Sequence, residues 1–114
     1  MNQTNTRPLL FGYVRLHLLM TETELADTKE RLHYFAHVEG FTLGTVFVEQ
    51  AHTVPAGFEA LIAAVKHYEA RAVVVPSLQH LAVLGTPPAL RDYVQSVTGV
   101  PVLVAETNPM SPRS

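Results

Sequence analysis

The chain has 114 residues, a length that suits a single domain. Apolar residues make up 47% of it but charged residues only 16%, against about 25% in a typical domain, so a partner is expected to cover part of the surface. The net charge of −2 excludes an overall basic field that would attract nucleic acid, and the absence of cysteine excludes a thiol nucleophile, a disulfide framework and thiolate metal ligands.

Polar and proline-containing stretches lie at both ends of the chain. We expect a disordered lead at residues 1–8, a disordered tail at 107–114 and one domain at 9–106. No apolar run reaches the ~20 residues of a membrane span, and the first residues lack the order of a signal peptide. A cytoplasmic location without membrane contact is therefore expected.

Strand and helix patterns alternate along the first half of the chain. The apolar, β-rich run at 9–18 predicts the first strand. Thr21 and Glu24 have the spacing of a capping box, so we predict a helix that runs from there to about Glu39. Residues 41–49 predict the second strand.

A second helix is predicted from Val54-Pro55 to about Glu69. Its buried side is expected to hold Phe58, Leu61, Ile62, Val65 and Tyr68. The opposite side carries few charges and is mostly Ala56, Ala60, Ala63 and Ala64. That side is either a plain exposed helix face or a surface that a partner covers.

The second half of the chain continues the alternation. The continuous apolar run at 71–76 predicts a third strand that is buried on both faces, and 77–85 predicts a loop or a short helical turn. Thr86, followed by two prolines, predicts the start of a third helix that ends at Gly99. Its buried stripe is expected to hold Leu90, Tyr93, Val94 and Val97. Residues 100–105 predict the fourth strand.

The order of these elements predicts an α/β fold, a small doubly wound and mainly parallel sheet of about four strands with helices on both faces. In such folds ligands bind at the carboxyl ends of the strands, near the switch in strand order. Polar side chains follow three of the strands there and form a candidate ligand or interaction crevice: Arg15, His17, Glu49, His52, Gln79 and His80. Strand ends are also where polar residues ordinarily emerge, so position alone leaves both interpretations open.

Familiar cofactor and metal motifs do not account for this crevice. Neither a glycine-rich dinucleotide motif nor a Walker loop follows the first strand, so the usual modes of nucleotide binding are not expected. His33 and His37 have a spacing that can hold zinc, with Glu30 on the same side of the helix. An exposed, solvated helix face explains these residues better. We therefore expect no metal and no cofactor.

The segment Phe11-Gly12-Tyr13-Val14-Arg15 resembles the opening strand of the catalytic domain of serine recombinases, the resolvase and invertase family. Phe47-Val48-Glu49 is similar to the family's strand end that carries an acid, and 72–81 resembles its third strand and the loop that follows. The resemblance covers about residues 9–105 in the right order. It implies a resolvase-like fold.

The resemblance also implies which catalytic positions have changed. The family's nucleophilic serine, its arginine before the second helix, its Asp-Arg pair and its next arginine fall on His17, Phe58, Gln79-His80 and Val83. Only Arg15 and the acidic Glu49 remain. Because this chemistry needs a hydroxyl that attacks phosphorus and several guanidiniums that neutralise the developing charge, the chain is expected not to be an enzyme.

The first functional hypothesis is a catalytically inactive resolvase-like domain that serves as a protein-interaction, assembly or regulatory module. Its partner would be a second copy or another protein. The alternatives are small-ligand binding, of an anion, at the strand ends, and an accessory role in DNA recombination through a partner recombinase. No direct specific DNA binding is expected, because the family's long helix and helix-turn-helix domain do not follow the fourth strand.

Overall fold

The computed structural model describes residues 7–16, 21–50, 54–82 and 85–105. The described elements are β1 (Leu9–Arg15), α1 (Glu22–Val38), β2 (Thr42–Glu49), α2 (Ala56–Tyr68), β3 (Ala72–Val75), α3 (Pro87–Thr98) and β4 (Val102–Val104). A 3₁₀ turn at Leu78–Leu81 lies between β3 and α3. Most of the expected lead, the whole expected tail, and His17, His52 and Val83 lie outside the described residues.

The four strands form one parallel sheet in the order β2-β1-β3-β4. This confirms the predicted doubly wound sheet. The chain moves outward from β1 to β2 and then returns to β3 and β4 on the other side of β1. The strand order therefore switches between β1 and β3, and the crevice above their carboxyl ends is the expected ligand position in this architecture.

Two apolar cores lie on opposite faces of the sheet, as the predicted helices on both faces require. One core packs under α1 and contains Leu10, Val14, Leu32, Ala36, Ala72 and Val74. The other packs under α2 and α3 and includes Phe11, Tyr13, Phe58, Leu61, Val73, Val75 and Val94. Because strand side chains alternate between faces, β3 contributes to both cores, and all four of its residues are buried.

Local capping chemistry fixes the helix ends where the sequence predicted them. The backbone nitrogen of Glu24 donates to the Thr21 hydroxyl at 3.0 Å, and the Glu24 carboxylate accepts from the Thr21 nitrogen at 2.8 Å. The Thr86 hydroxyl accepts from the Ala89 nitrogen at 3.3 Å. Gly99 ends α3 at a φ of 77°, a backbone conformation that glycine adopts without strain.

The predicted burial of two tyrosines is wrong. Tyr68 is 62% exposed and Tyr93 is 51% exposed. Each ring contacts a core ring edgewise or at a tilt: the centroid of Tyr68 is 6.1 Å from that of Phe11, and the centroid of Tyr93 is 6.2 Å from that of Phe58. An aromatic ring with a hydroxyl can cover the rim of a core while its polar end stays in water.

None of the helices in the described part of the chain is both long and apolar enough to cross a lipid bilayer. The cytoplasmic location stays a prediction.

Candidate functional site

A buried carboxylate stands at the carboxyl end of β2. The Glu49 side chain is fully buried, and its Oε1 accepts hydrogen bonds from the Tyr13 hydroxyl at 2.9 Å and from the Phe58 nitrogen at 2.8 Å. Its Oε2 accepts from the Gly57 nitrogen at 3.0 Å. Gly57 and Phe58 lie in the first turn of α2, where the helix dipole favours a negative charge. Glu49 therefore caps α2 from a neighbouring strand.

Gly57 suits this close approach. A Cβ placed there would lie 3.1 Å from both the carboxyl carbon and Oε1 of Glu49. Any larger residue would push against the carboxylate that holds the helix. The glycine thus allows the backbone N–H groups of α2 to reach Glu49.

Tyr13 is held in its protonated form. Burial raises the pKa of its hydroxyl well above the usual range, and the hydrogen bond to Glu49 and the charge of that carboxylate raise it further. The Arg15 guanidinium opposes the shift but does not cancel it. Tyr13 is therefore a fixed hydrogen-bond donor at neutral pH.

The raised pKa of Tyr13 predicts a stability change at high pH. In the unfolded chain tyrosine loses its proton near pH 10, so the stability is fully present below about pH 10 and is lost above it, by about 1.4 kcal/mol per pH unit. Urea unfolding of wild type and Tyr13→Phe at a series of pH values should show this extra slope only in the wild type. Equal slopes would contradict it, because the other three tyrosines are common to both proteins.

Arg15 and His80 join the carboxyl ends of β1 and β3. The Arg15 backbone nitrogen donates to Nδ1 of His80 at 2.8 Å, and the Arg15 guanidinium donates through Nη1 to the carbonyl of Ala82. His80 is 8% exposed and lies in the 3₁₀ turn after β3. Because Nδ1 accepts, the hydrogen bond assigns the proton of the neutral ring to Nε2. The contact places the strand-end turn beside Arg15, at the switch in strand order.

The Arg15 side chain keeps donor capacity at this position. The residue is only partly buried, and Nη1 is the one guanidinium nitrogen that bonds a protein group in the described parts of the chain. A guanidinium carries five N–H donors in a planar fork that suits carboxylate and phosphate groups. Arg15 can therefore offer Nε and Nη2 to an anion.

The predicted crevice residues have different surroundings. Arg15 and Glu49 are paired neighbours across β1 and β2, and His80 contacts Arg15 from the other side. Glu49 is turned to the start of α2, where it caps the helix. Gln79 is exposed in the 3₁₀ turn, and His17 and His52 lie outside the described residues. A ligand role for this set stays a prediction.

Phe58 occupies the position where the recombinase resemblance implies an arginine. Its side chain is 2% exposed and packs edge to face against Tyr13, with ring centroids 5.8 Å apart. Sequence reasoning found the buried side of α2 but missed the partnership of Tyr13, Gly57 and Phe58 with Glu49. Tyr13 and Phe11 share a face of β1, which was the available signal for Tyr13.

The pair His33 and His37 lies beside an open groove between α1 and β2. Both histidines are exposed, and the Arg7 guanidinium donates to the His37 carbonyl at 2.7 Å. Within the described ranges, no three His, Asp or Glu side chains come close enough together to hold a metal ion.

The structure is similar to the crystal structure of the C-terminal catalytic domain of ISC1926 TnpA, an IS607-like serine recombinase. The TM-score is 0.71 at 17% identity, and the match covers 90% of this chain and 72% of the other. This chain has the fold of a serine recombinase catalytic domain. No protein-family model matches the sequence, and no curated protein matches it significantly. The predicted resolvase-like fold is confirmed.

The recombinase fold corrects one prediction. The expectation that the chain is not an enzyme is wrong, because the similar structure is itself a catalytic domain. That expectation was based on substituted positions, and two of them, His17 and Val83, lie outside the described residues. Nothing among the residues that the structure describes establishes an inactive site.

Proposed function

We propose that this chain is an assembly or regulatory module with the serine recombinase fold, and that it binds a protein partner through a surface formed by α2 and α3. The serine recombinase fold favours one version of this function, an accessory role in DNA recombination in which the partner is a recombinase. The observation that carries the proposal is the half-exposed ring of Tyr93 beside an open groove of about 620 Å³.

The lining of this groove has the composition of a protein interface. Its apolar part is Phe58, Ile62, Ala63, Leu90 and Tyr93, and its charged part is Glu59 and Lys66. Tyrosine is enriched among the residues that contribute most to protein binding, since it buries a large ring and keeps a polar end. An apolar centre beside a charged rim is the usual anatomy of such surfaces.

The outer face of α2 extends this surface. Ala56, Ala60 and Ala63 are exposed on it. The sequence analysis left this face either bare or covered by a partner, and the face belongs to the helix that borders the groove. The low share of charged residues in the chain supports the covered interpretation.

Site-specific photo-crosslinking tests the proposed partner binding. The photoreactive residue p-benzoylphenylalanine replaces Tyr93 in one variant and Tyr34 in a control, and crosslinking is done in cells that naturally make the protein. Tyr34 is 70% exposed and lies on α1, across the sheet. We expect a protein adduct from position 93 that position 34 does not give. No adduct at 93, or the same adducts at both positions, would contradict the proposal.

Anion binding at the strand ends is a second candidate, and the remaining Nε and Nη2 donors of Arg15 favour it. Inorganic phosphate is the probe. It should stabilise the protein by about 1.4 kcal/mol at ten times its Kd, and Arg15→Ala should remove this effect. Each variant is compared with its own phosphate-free unfolding curve.

The matched control for phosphate binding is Arg71→Ala. Arg71 is exposed at the amino end of β3, at the opposite edge of the sheet from the carboxyl ends of the strands where Arg15 lies. This variant should keep the full phosphate effect. Equal phosphate responses in Arg15→Ala and wild type would exclude Arg15 as the anion-binding group.

A further inference from the structure

We propose that the groove between α1 and β2 is a binding site for a small aromatic anion, a ligand with a flat apolar body and one acidic group. The groove has a volume of about 710 Å³, which is within the range of small-molecule sites. It lies on the α1 face of the sheet, whereas the partner surface proposed above lies on the other face, so the two inferences are independent.

A bulge in β2 builds the apolar floor of this groove, which consists of Leu43 and Val46. Leu10 of β1 pairs with Leu43, but Gly12 pairs with Val46, so β2 has one residue more than β1 over this stretch. In a regular strand, two residues three positions apart point to opposite faces. The bulge instead lets both floor residues pack against the core under α1 and line the groove. Bulges are common beside active sites because they redirect side chains in this way.

One wall of the groove is a row of nitrogen-bearing side chains on α1. Lys29, His33 and His37 are four residues apart, so they follow one another along one side of the helix at intervals of about 6 Å. All three are exposed. The Arg7 guanidinium stands at the end of the row, where it donates to the His37 carbonyl at 2.7 Å, and its Nη1 is 3.3 Å from Nδ1 of the same residue. Arg7 thereby covers the negative end of the helix dipole, which would otherwise repel an anion.

Tyr34 and Glu30 restrict the kind of anion that fits. The ring of Tyr34 is largely exposed and lines the groove, so it offers an aromatic surface to a flat apolar ligand. Glu30 is the acid among the described lining residues, and it is adjacent to Lys29. A ligand with one negative charge can place it between Lys29 and His33 and lay its body on the apolar floor. A polyanion such as nucleic acid would bring further negative charges close to Glu30, so the acid selects against it.

Fluorescence titration with anilinonaphthalene sulfonate tests the site in the full chain. This probe has a flat aromatic body and one sulfonate, and phenylnaphthylamine is the same body without the sulfonate. Lys29→Glu should weaken binding of the sulfonate probe about ten-fold, because it removes a charge-assisted hydrogen bond and adds repulsion. Binding of the neutral probe should stay within about two-fold of wild type, which also shows that the variant is folded. Tyr34→Ala should weaken both probes by about three-fold, since both carry the aromatic body.

Arg31→Glu is the matched control, because Arg31 is exposed on the same helix but lies on the opposite side from Lys29. It should bind the sulfonate probe like wild type, which separates a contact in the groove from a change in net charge. In backbone-amide NMR spectra the sulfonate probe should shift residues 33–37, Leu43 and Val46 most. A wild type that does not bind the probe, equal losses for Lys29→Glu and Arg31→Glu, or shifts centred on α2 and α3 would each overturn the inference.

Discussion

Replacement of Glu49 by alanine should lower the free energy of unfolding by about 3–5 kcal/mol. The change deletes the acceptor of the hydrogen bonds from the Tyr13 hydroxyl and from the Gly57 and Phe58 nitrogens. A buried donor left without a partner keeps its full desolvation penalty, which is larger than the net free energy that the hydrogen bond contributed. Because typical domains have only about 5–15 kcal/mol of stability, urea unfolding followed by circular dichroism should resolve the change easily.

Two further variants make the Glu49 result specific. Glu49→Gln keeps one oxygen acceptor but points an amide at a donor, so we expect a smaller loss than for alanine. Glu30→Ala removes an exposed glutamate from α1 and should change stability by no more than about 0.5 kcal/mol. If Glu49→Ala cost no more than Glu30→Ala, the capping role of Glu49 would be refuted.

Replacement of Phe58 by alanine should destabilise the domain by about 3–5 kcal/mol. The ring is 2% exposed, packs edge to face on Tyr13 and belongs to the core under α2 and α3. Its loss leaves a cavity between α2 and β1, so the start of α2 loses packing as well as apolar burial. Thermal unfolding should show a fall of roughly 12 °C or more for a domain of this size.

Phe58→Leu is the conservative comparison, since it keeps most of the apolar volume and should cost clearly less than alanine. Tyr68→Ala removes an aromatic ring of similar size from α2, but that ring is largely exposed. Its effect should stay near or below about 1 kcal/mol. Similar losses for Phe58→Ala and Tyr68→Ala would show that Phe58 is not a core residue.

Much of the fold follows from local patterns. The capping box at Thr21 and the proline-rich start after Thr86 fix where two helices begin, because those hydrogen bonds join residues three apart. The continuous apolar run of β3 also identifies a strand buried on both faces. Alternation of these elements was enough to predict a parallel doubly wound sheet. The Phe11-to-Arg15 segment, together with later segments that include 47–49 and 72–81, predicted its resolvase-like form, which the comparison at a TM-score of 0.71 confirms.

The end of β1 was less well predicted. The strand ends at Arg15 and Leu16 lies beyond it, whereas residues 17 and 18 of the predicted strand lie outside the described residues. An apolar run in the sequence predicts which residues are buried. It does not predict where a strand ends, because a strand ends where the neighbouring strands stop pairing with it. β2 ends at Glu49, the register partner of Arg15, and among the described residues the last hydrogen bond between the two strands runs from the Leu16 nitrogen to the Glu49 carbonyl at 2.7 Å.

The sequence by itself determined the elements, their order and the residue types at the strand ends, since these depend on side-chain chemistry and spacing along the chain. Only the tertiary structure decided that Glu49 caps α2, that His80 accepts from the Arg15 backbone, and that Tyr68 and Tyr93 face water. These contacts join residues that lie far apart in sequence or depend on the shape of a neighbouring helix. No local pattern encodes such distances, so the same side chain can be a ligand, a cap or an interface residue until the packing around it is known.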